Sequence, residues 1–135
     1  MKVKKIIVSA VAIAVATAAL TITVSAADTV GGYNVSYSST IAKTYAVSTS
    51  SIAADPYLHE LGLIINARYY YRDEKNELQF DAQTVTRYDS GCAAQYSVSK
   101  IGGEMVAVYA DHMFYVKPNG ASHSSTDSFS SSATR

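Results

Sequence analysis

Apolar and polar side chains alternate with a period of two along most of this chain. In the longest run Tyr57, His59, Leu61, Leu63, Ile65, Ala67, Tyr69 and Tyr71 share one parity, and Glu60, Gly62, Asn66, Arg68 and Arg72 the other. Successive residues of a strand point to opposite faces, so this spacing predicts one long strand with a single buried face. After Asp73-Glu74-Lys75-Asn76 the alternation resumes, with Leu78, Phe80, Ala82, Thr84, Thr86 and Tyr88 against Glu77, Gln79, Asp81, Gln83 and Arg87. A four-residue loop sets Arg72 opposite Glu77, and the remaining register follows: Tyr71 opposite Leu78, Tyr69 opposite Phe80, Ala67 opposite Ala82 and Arg68 opposite Asp81. Both cross-strand charge pairs then have opposite signs, as a stable hairpin requires. This register predicts an inner face of Leu61, Leu63, Ile65, Tyr69, Leu78 and Phe80.

Shorter alternating stretches flank this hairpin. Tyr33, Val35 and Tyr37, then Ile41, Tyr45 and Val47, read as two strands, and Ser48 to Pro56 reads as a break closed by Asp55-Pro56. Downstream, a three-residue loop Asp89-Ser90-Gly91 sets Tyr88 against Cys92 and Thr84 against Tyr96. Gly102-Gly103 reads as another hairpin turn. From Met105 to Val116 both parities hold apolar residues, which predicts a strand in the middle of a sheet. Beyond Lys117-Pro118-Asn119-Gly120 the serine-rich tail, 121–135, is either a weak edge strand held by Phe129 or a mobile terminus. Six or seven strands with no helical periodicity predict an all-β fold, a small antiparallel β-sandwich or a small barrel.

The N-terminus reads differently. Lys2, Lys4 and Lys5 precede an uncharged apolar run from Ile6 to Ala27 that closes on Val24-Ser25-Ala26. A basic start, an apolar run and small residues at the cleavage positions predict a signal peptide over residues 1–26, cut after Ala26 or Ala27. A retained membrane anchor is the alternative reading, since about 20 apolar residues suffice to span a bilayer. With the leader removed, residues 27–120 form one all-β domain and no membrane span remains.

Charge and chemistry narrow the function classes. Loss of the three leader lysines leaves eight Lys and Arg against eleven Asp and Glu, a formal charge of −3. Nucleic-acid binding depends on a concentrated positive face, so no nucleic-acid partner is expected. Eleven Tyr, three Phe, no Trp and one cysteine, Cys92, complete the picture. A single cysteine forms no bridge within one chain, and nothing basic flanks Cys92 to make a thiolate. His59, His112 and His123 fall in no metal-binding spacing, so neither a metal nor a cofactor is expected. No nucleophile elbow or phosphate loop is present, and no catalytic residue is assigned. His112 lies in the alternation Val108, Ala110, His112, Phe114, Val116, as a core-edge histidine does; a small hydrolase built on His112 with Asp111 or a nearby serine is the catalytic alternative.

The candidate binding residues are Arg68, Tyr70 and Arg72. Within Tyr69-Tyr70-Tyr71 the alternation turns Tyr70 outward between two arginines, and outward Tyr and Arg side chains anchor sugar rings and protein partners.

The start Gly31-Gly32-Tyr33-Asn34-Val35-Ser36, the leader and the Ser- and Thr-rich strands resemble small secreted proteins of Gram-positive bacteria, among them bacteriocins of the lactococcin 972 type. The resemblance implies a β-sandwich that interferes with a neighbouring cell's envelope without an enzymatic step; those bacteriocins carry Trp residues absent here. The expected function is that of a secreted, non-enzymatic binding protein acting on a partner protein or cell-envelope target. The structural alternative is a surface or matrix component assembling through strand edges.

Overall fold

Alternating sequence becomes strand nearly throughout. The computed structural model describes the backbone of residues 5–11, 21–55, 57–90 and 95–135, and the side chains of 21–55, 57–86 and 99–135. The described residues form β1 (Lys5–Val11), β2 (Thr21–Val30), β3 (Tyr33–Ile41), β4 (Tyr45–Ile52), β5 (His59–Arg72), β6 (Leu78–Ser90), β7 (Gln95–Ile101), β8 (Glu104–Pro118) and β9 (Ser125–Thr134). They build two antiparallel sheets, ordered β1-β2-β3-β4-β7 and β6-β5-β8-β9. Neither closes on itself, so the all-β fold is a β-sandwich and not a barrel. The strands outnumber the six or seven expected because residues 1–26, assigned from sequence to the leader, contribute β1 and the first six residues of β2. The serine-rich tail is β9, an edge strand held by Phe129, which is buried.

Between the sheets lies a core made by the expected parity of β5. Leu61, Leu63, Ile65, Ala67 and Tyr69 are all at most 1% exposed. They meet Val35, Tyr37, Ile41 and Ala46 from β3 and β4, and share the layer with Val108, Phe114 and Val116 from β8. β8 lies between β5 and β9, the central position its two apolar faces predict. The β2–β3 hairpin turns on Gly31 and Gly32, with φ of 59° and 86°. A two-residue turn with both central residues left-handed suits glycine and matches the twist of the paired strands.

The β5–β6 hairpin forms one register away from the expected one. Arg72 pairs with Leu78, Tyr70 with Phe80 and Arg68 with Ala82, while Tyr69 faces Asp81. The cause is the loop. Asp73 N–H donates to the Glu77 carbonyl at 3.0 Å, and Asn76 N–H to the Asp73 carbonyl at 2.9 Å. Asn76 takes the left-handed conformation, φ 60°. This is a type I turn followed by a left-handed residue, with three residues between a paired Asp73 and Glu77 in place of the four-residue loop. Asp73 Oδ1 accepts from the N–H groups of Lys75 and Glu77, and Oδ2 accepts from Gln79 Nε2 at 2.8 Å. The Glu77 N–H bond foremost holds this carboxyl below the usual carboxylate range.

A one-residue slip turns every side chain of a strand to its other face. Leu78 and Phe80, expected inside, therefore face outward at 58% and 56% exposure. The inward side chains of β6 are Gln79, Asp81, Gln83 and Val85. A polar inner face is tolerable because β6 is a sheet edge, and across from it lies β7, the edge of the other sheet. Lys100 Nζ of β7 reaches Asp81 Oδ2 at 3.1 Å and sits 4.7 Å from the centre of the Tyr71 ring.

The expected pairing of Thr84 with Tyr96 does not form. β7 pairs with β4 in the other sheet, Thr49 facing Ser97, so the chain crosses between sheets after β6. Cys92 and Gly91 lie outside the described residues. Gly102-Gly103 also links two sheets instead of closing a hairpin: Gly102 N–H donates to the Thr44 carbonyl and Met105 N–H to the Lys43 carbonyl.

The register makes a stability prediction that separates the two hairpin alignments. Leu63→Ala removes a fully buried side chain and should cost about 3 kcal/mol in urea unfolding. Leu78→Ala should cost less than about 1 kcal/mol, because it lies at the surface. Equal losses at the two positions would restore the inward assignment of Leu78.

Candidate functional site

The outer face of β6-β5-β8-β9 is built from the even positions of β5. Arg68 lies between Ala82 of β6 and Tyr109 of β8, and Tyr70 between Phe80 and Ala107. Between Tyr70 and Tyr71 the β8 register shifts and Val106 is passed over, a bulge that gives β8 one extra residue. Around it is a shallow hollow of about 390 Å³, lined by Arg68, Tyr70, Leu78, Val106, Ala107 and Tyr109.

Aromatic contacts hold its centre. The Tyr70 ring lies 5.2 Å from Phe80 and 5.8 Å from Tyr109, the latter edge to face at 89°. Tyr70 is thereby half-buried by its neighbours, while Phe80 and Tyr109 stay exposed. Arg68 Nη2 is 3.5 Å from Asp111 Oδ2, and Ser130 Oγ donates to Asp111 Oδ1 at 2.7 Å. The Arg68 and Asp111 side chains are both about half exposed, so water screens the pair and it adds little stability. The guanidinium is thus held near the hollow by a weak tether.

Of the three candidate residues, the structure brings Arg68 and Tyr70 into one hollow and leaves Arg72 out of it. Arg72 Nη1 donates to the Asn76 carbonyl at 3.2 Å, and its side chain borders a second hollow with Glu104, Met105, Val106 and Arg135. Sequence reasoning missed Leu78 and Phe80 because it placed them inside. It missed Tyr109 because both faces of β8 read as apolar. The available signal was parity: Tyr109 and Asp111 oppose Val108, Ala110 and His112, so an inward His112 already turns Tyr109 out.

His112 belongs elsewhere. It is fully buried between the sheets, with Nδ1 2.7 Å from Ser50 Oγ and Nε2 2.7 Å from Ser131 Oγ. Ser131 Oγ continues to Ser39 Oγ at 2.6 Å, and Ser39 to Ser48 at 3.1 Å. Tyr37 lies 5.3 Å from the imidazole. Asp111 points to the outer face, so His112 and Asp111 do not pair, whereas the nearby serines Ser50 and Ser131 do bond the imidazole, buried between the sheets. His59 makes a smaller link at one end of the sandwich. Its Nδ1–H donates to the Asp55 carbonyl at 2.9 Å, so its Nε2 accepts from the Tyr33 hydroxyl at 2.6 Å.

Comparison with known protein families, curated proteins and solved structures finds no match to this chain.

The buried histidine makes stability depend on pH. Burial pushes its pKa from 6.5 down to about 4, against the weaker upward pull of Asp111. The unfolded chain therefore binds the proton more readily, so this contribution is complete above about pH 6.5 and declines as pH falls toward 4. Between pH 7 and pH 4.5 the loss should be about 2 kcal/mol, each tenfold difference in proton affinity between the two states being worth about 1.4 kcal/mol. Urea unfolding at pH 7 and pH 4.5 should show it. The drop should shrink by most of that amount in His112→Gln; an undiminished drop would assign it to the carboxylates.

Proposed function

We propose that the protein is a secreted, non-enzymatic binding module whose working surface is the outer face of β6-β5-β8-β9. Its partner is a protein or cell-envelope component. Antagonism toward other bacteria is the role that its resemblance to lactococcin-type proteins implies. The observation that carries the reading is the shared exposure of Leu78, Phe80 and Tyr109 beside Tyr70 and Arg68. Apolar residues scattered singly over a surface need no explanation, whereas a contiguous rimmed patch marks an interaction site. Its chemistry agrees: aromatic rings and arginine are the side chains that most often anchor binding energy. Export is supported by the basic, apolar and small-residue succession of residues 1–26.

Fluorescently labelled secreted protein, applied to whole Gram-positive cells and to lawns of a broad panel of bacteria, tests the reading. Tyr70→Ala combined with Phe80→Ser should lower cell binding or growth inhibition on the order of 10-fold or more, the weight of a hot-spot pair. Unfolding should remain cooperative, since surface changes cost little. Wild-type binding by this variant would overturn the assignment of the surface. Absence of both binding and inhibition across the panel would overturn the cell-directed role.

A further inference from the structure

The leader ends at Ala26, and in the folded chain that residue lies in the interior of β2. Ile22, Thr23, Val24, Ser25 and Ala26 pair with Ile41, Thr40, Ser39, Ser38 and Tyr37 of β3, and Ala27 to Val30 pair with Ser36 to Tyr33. Ile22 and Val24 pack against the cluster of Ile41, Ala46, Ile65 and Val108, and Ala26 belongs to the cluster of Tyr37 and Phe129. Thr23 and Thr40 join by their hydroxyls at 2.9 Å. A cut after Ala26 keeps the Gly31-Gly32 turn and four residues of β2. It strips the partner from Tyr37 to Ile41.

What remains is an edge without protection. Natural sheet edges carry charges or proline that block further pairing. β6 has Asp81 and Arg87, β7 has Lys100 and β9 has Asp127, whereas β3, from Tyr33 to Ile41, holds no charged residue and no proline. The slot's requirements are visible in its occupant: an antiparallel strand with apolar residues at alternate positions facing the core. The open half of β3 itself meets them at two of its three inward positions, Tyr37 and Ile41, with the small buried Ser39 between them and the small Ser38 and Thr40 outward. Two copies of such a strand, antiparallel about a two-fold axis, meet small uncharged side chains with small uncharged side chains. Every processed molecule presents the same edge.

We propose that the protein cut after Ala26 pairs through the open half of β3 with β3 of a second copy, joining two five-strand-derived sheets into one continuous sheet. The inference rests on the export reading above. It leaves the outer face of the other sheet free in both copies.

The N-terminus of the secreted product is fixed by mass spectrometry and its size by light scattering. The expected result is a chain starting at Ala27 or Asp28 with twice the monomer mass. Ser38→Lys with Thr40→Lys brings like charges together across the axis and should return the mass to that of one chain. Independently of any variant, amide exchange in residues 37–41 should slow as protein concentration rises. A correctly cut chain that stays monomeric at high concentration overturns the pairing alone. So does a dimer that the two lysines leave intact with exchange in residues 37–41 independent of concentration. A secreted product that retains Met1 overturns the export reading and the pairing with it.

Discussion

The odd face of β5 is buried from His59 to Tyr69 between the two sheets, and most other placements follow from that constraint. Leu61, Leu63, Ile65, Ala67 and Tyr69 all meet the opposite sheet with almost no exposure. Burial of a large apolar side chain is worth roughly 1.5–3 kcal/mol, so a one-residue slip of β5 would forfeit several such contributions together. Once the odd face is fixed, Asn66, Arg68, Tyr70 and Arg72 have only the outer face. The strands on either side then decide what surrounds them. The bulge in β8 leaves Val106 beside Tyr70, and the Asp73 loop turns Leu78 and Phe80 toward it.

The chain of hydrogen bonds from Ser50 through His112 and Ser131 to Ser39 and Ser48 has a different role. Apolar contacts tolerate sliding of one sheet over another, because their energy depends on area more than direction. A buried imidazole bonded at both ring nitrogens does not, since displacement leaves a polar atom without a partner at a cost of about 1–3 kcal/mol. Ser50 belongs to the five-stranded sheet, and His112 and Ser131 to the other. The network thus fixes the relative position of two sheets whose core is otherwise formed largely of small and medium apolar residues. The low pKa of His112 is the consequence of that placement.

The sequence made the strand pattern, the sandwich and the buried side of β5 legible, because period-two alternation is a property of each strand alone. Pairing was less legible. The β5–β6 register depended on a left-handed Asn76 and on the backbone bonds of Asp73, and a four-residue loop with satisfied charges looked equally sound by parity. The reading also took apolar residues to face inward. That rule fails on β6, whose inner side meets the edge of the other sheet through Asp81 and Lys100. The step from β6 to β7 was misread for a related reason: alternation says that two strands exist, not that neighbours in sequence share a sheet. Arg68 and Tyr70 were found by parity. Arg72 shares that parity but lies past the bulge, where the surface divides.

The edges and faces of the molecule show where its apolar surface serves the fold and where it does not. On β6 the charged Asp81 and polar Gln79 and Gln83 occupy the inner side, and the apolar Leu78 and Phe80 lie outside. A strand serving stability alone would gain from the reverse arrangement, since the inner side is the one shielded from water. The Asp73 loop, by contrast, spends both carboxylate oxygens and a left-handed residue on holding the register that exposes them. Local interactions therefore stabilise an alignment that leaves a ring of apolar side chains around Tyr70 in contact with solvent. That combination, a firmly held register and an uncovered aromatic surface, is what a preformed contact face requires, because side chains already ordered lose little further freedom on binding.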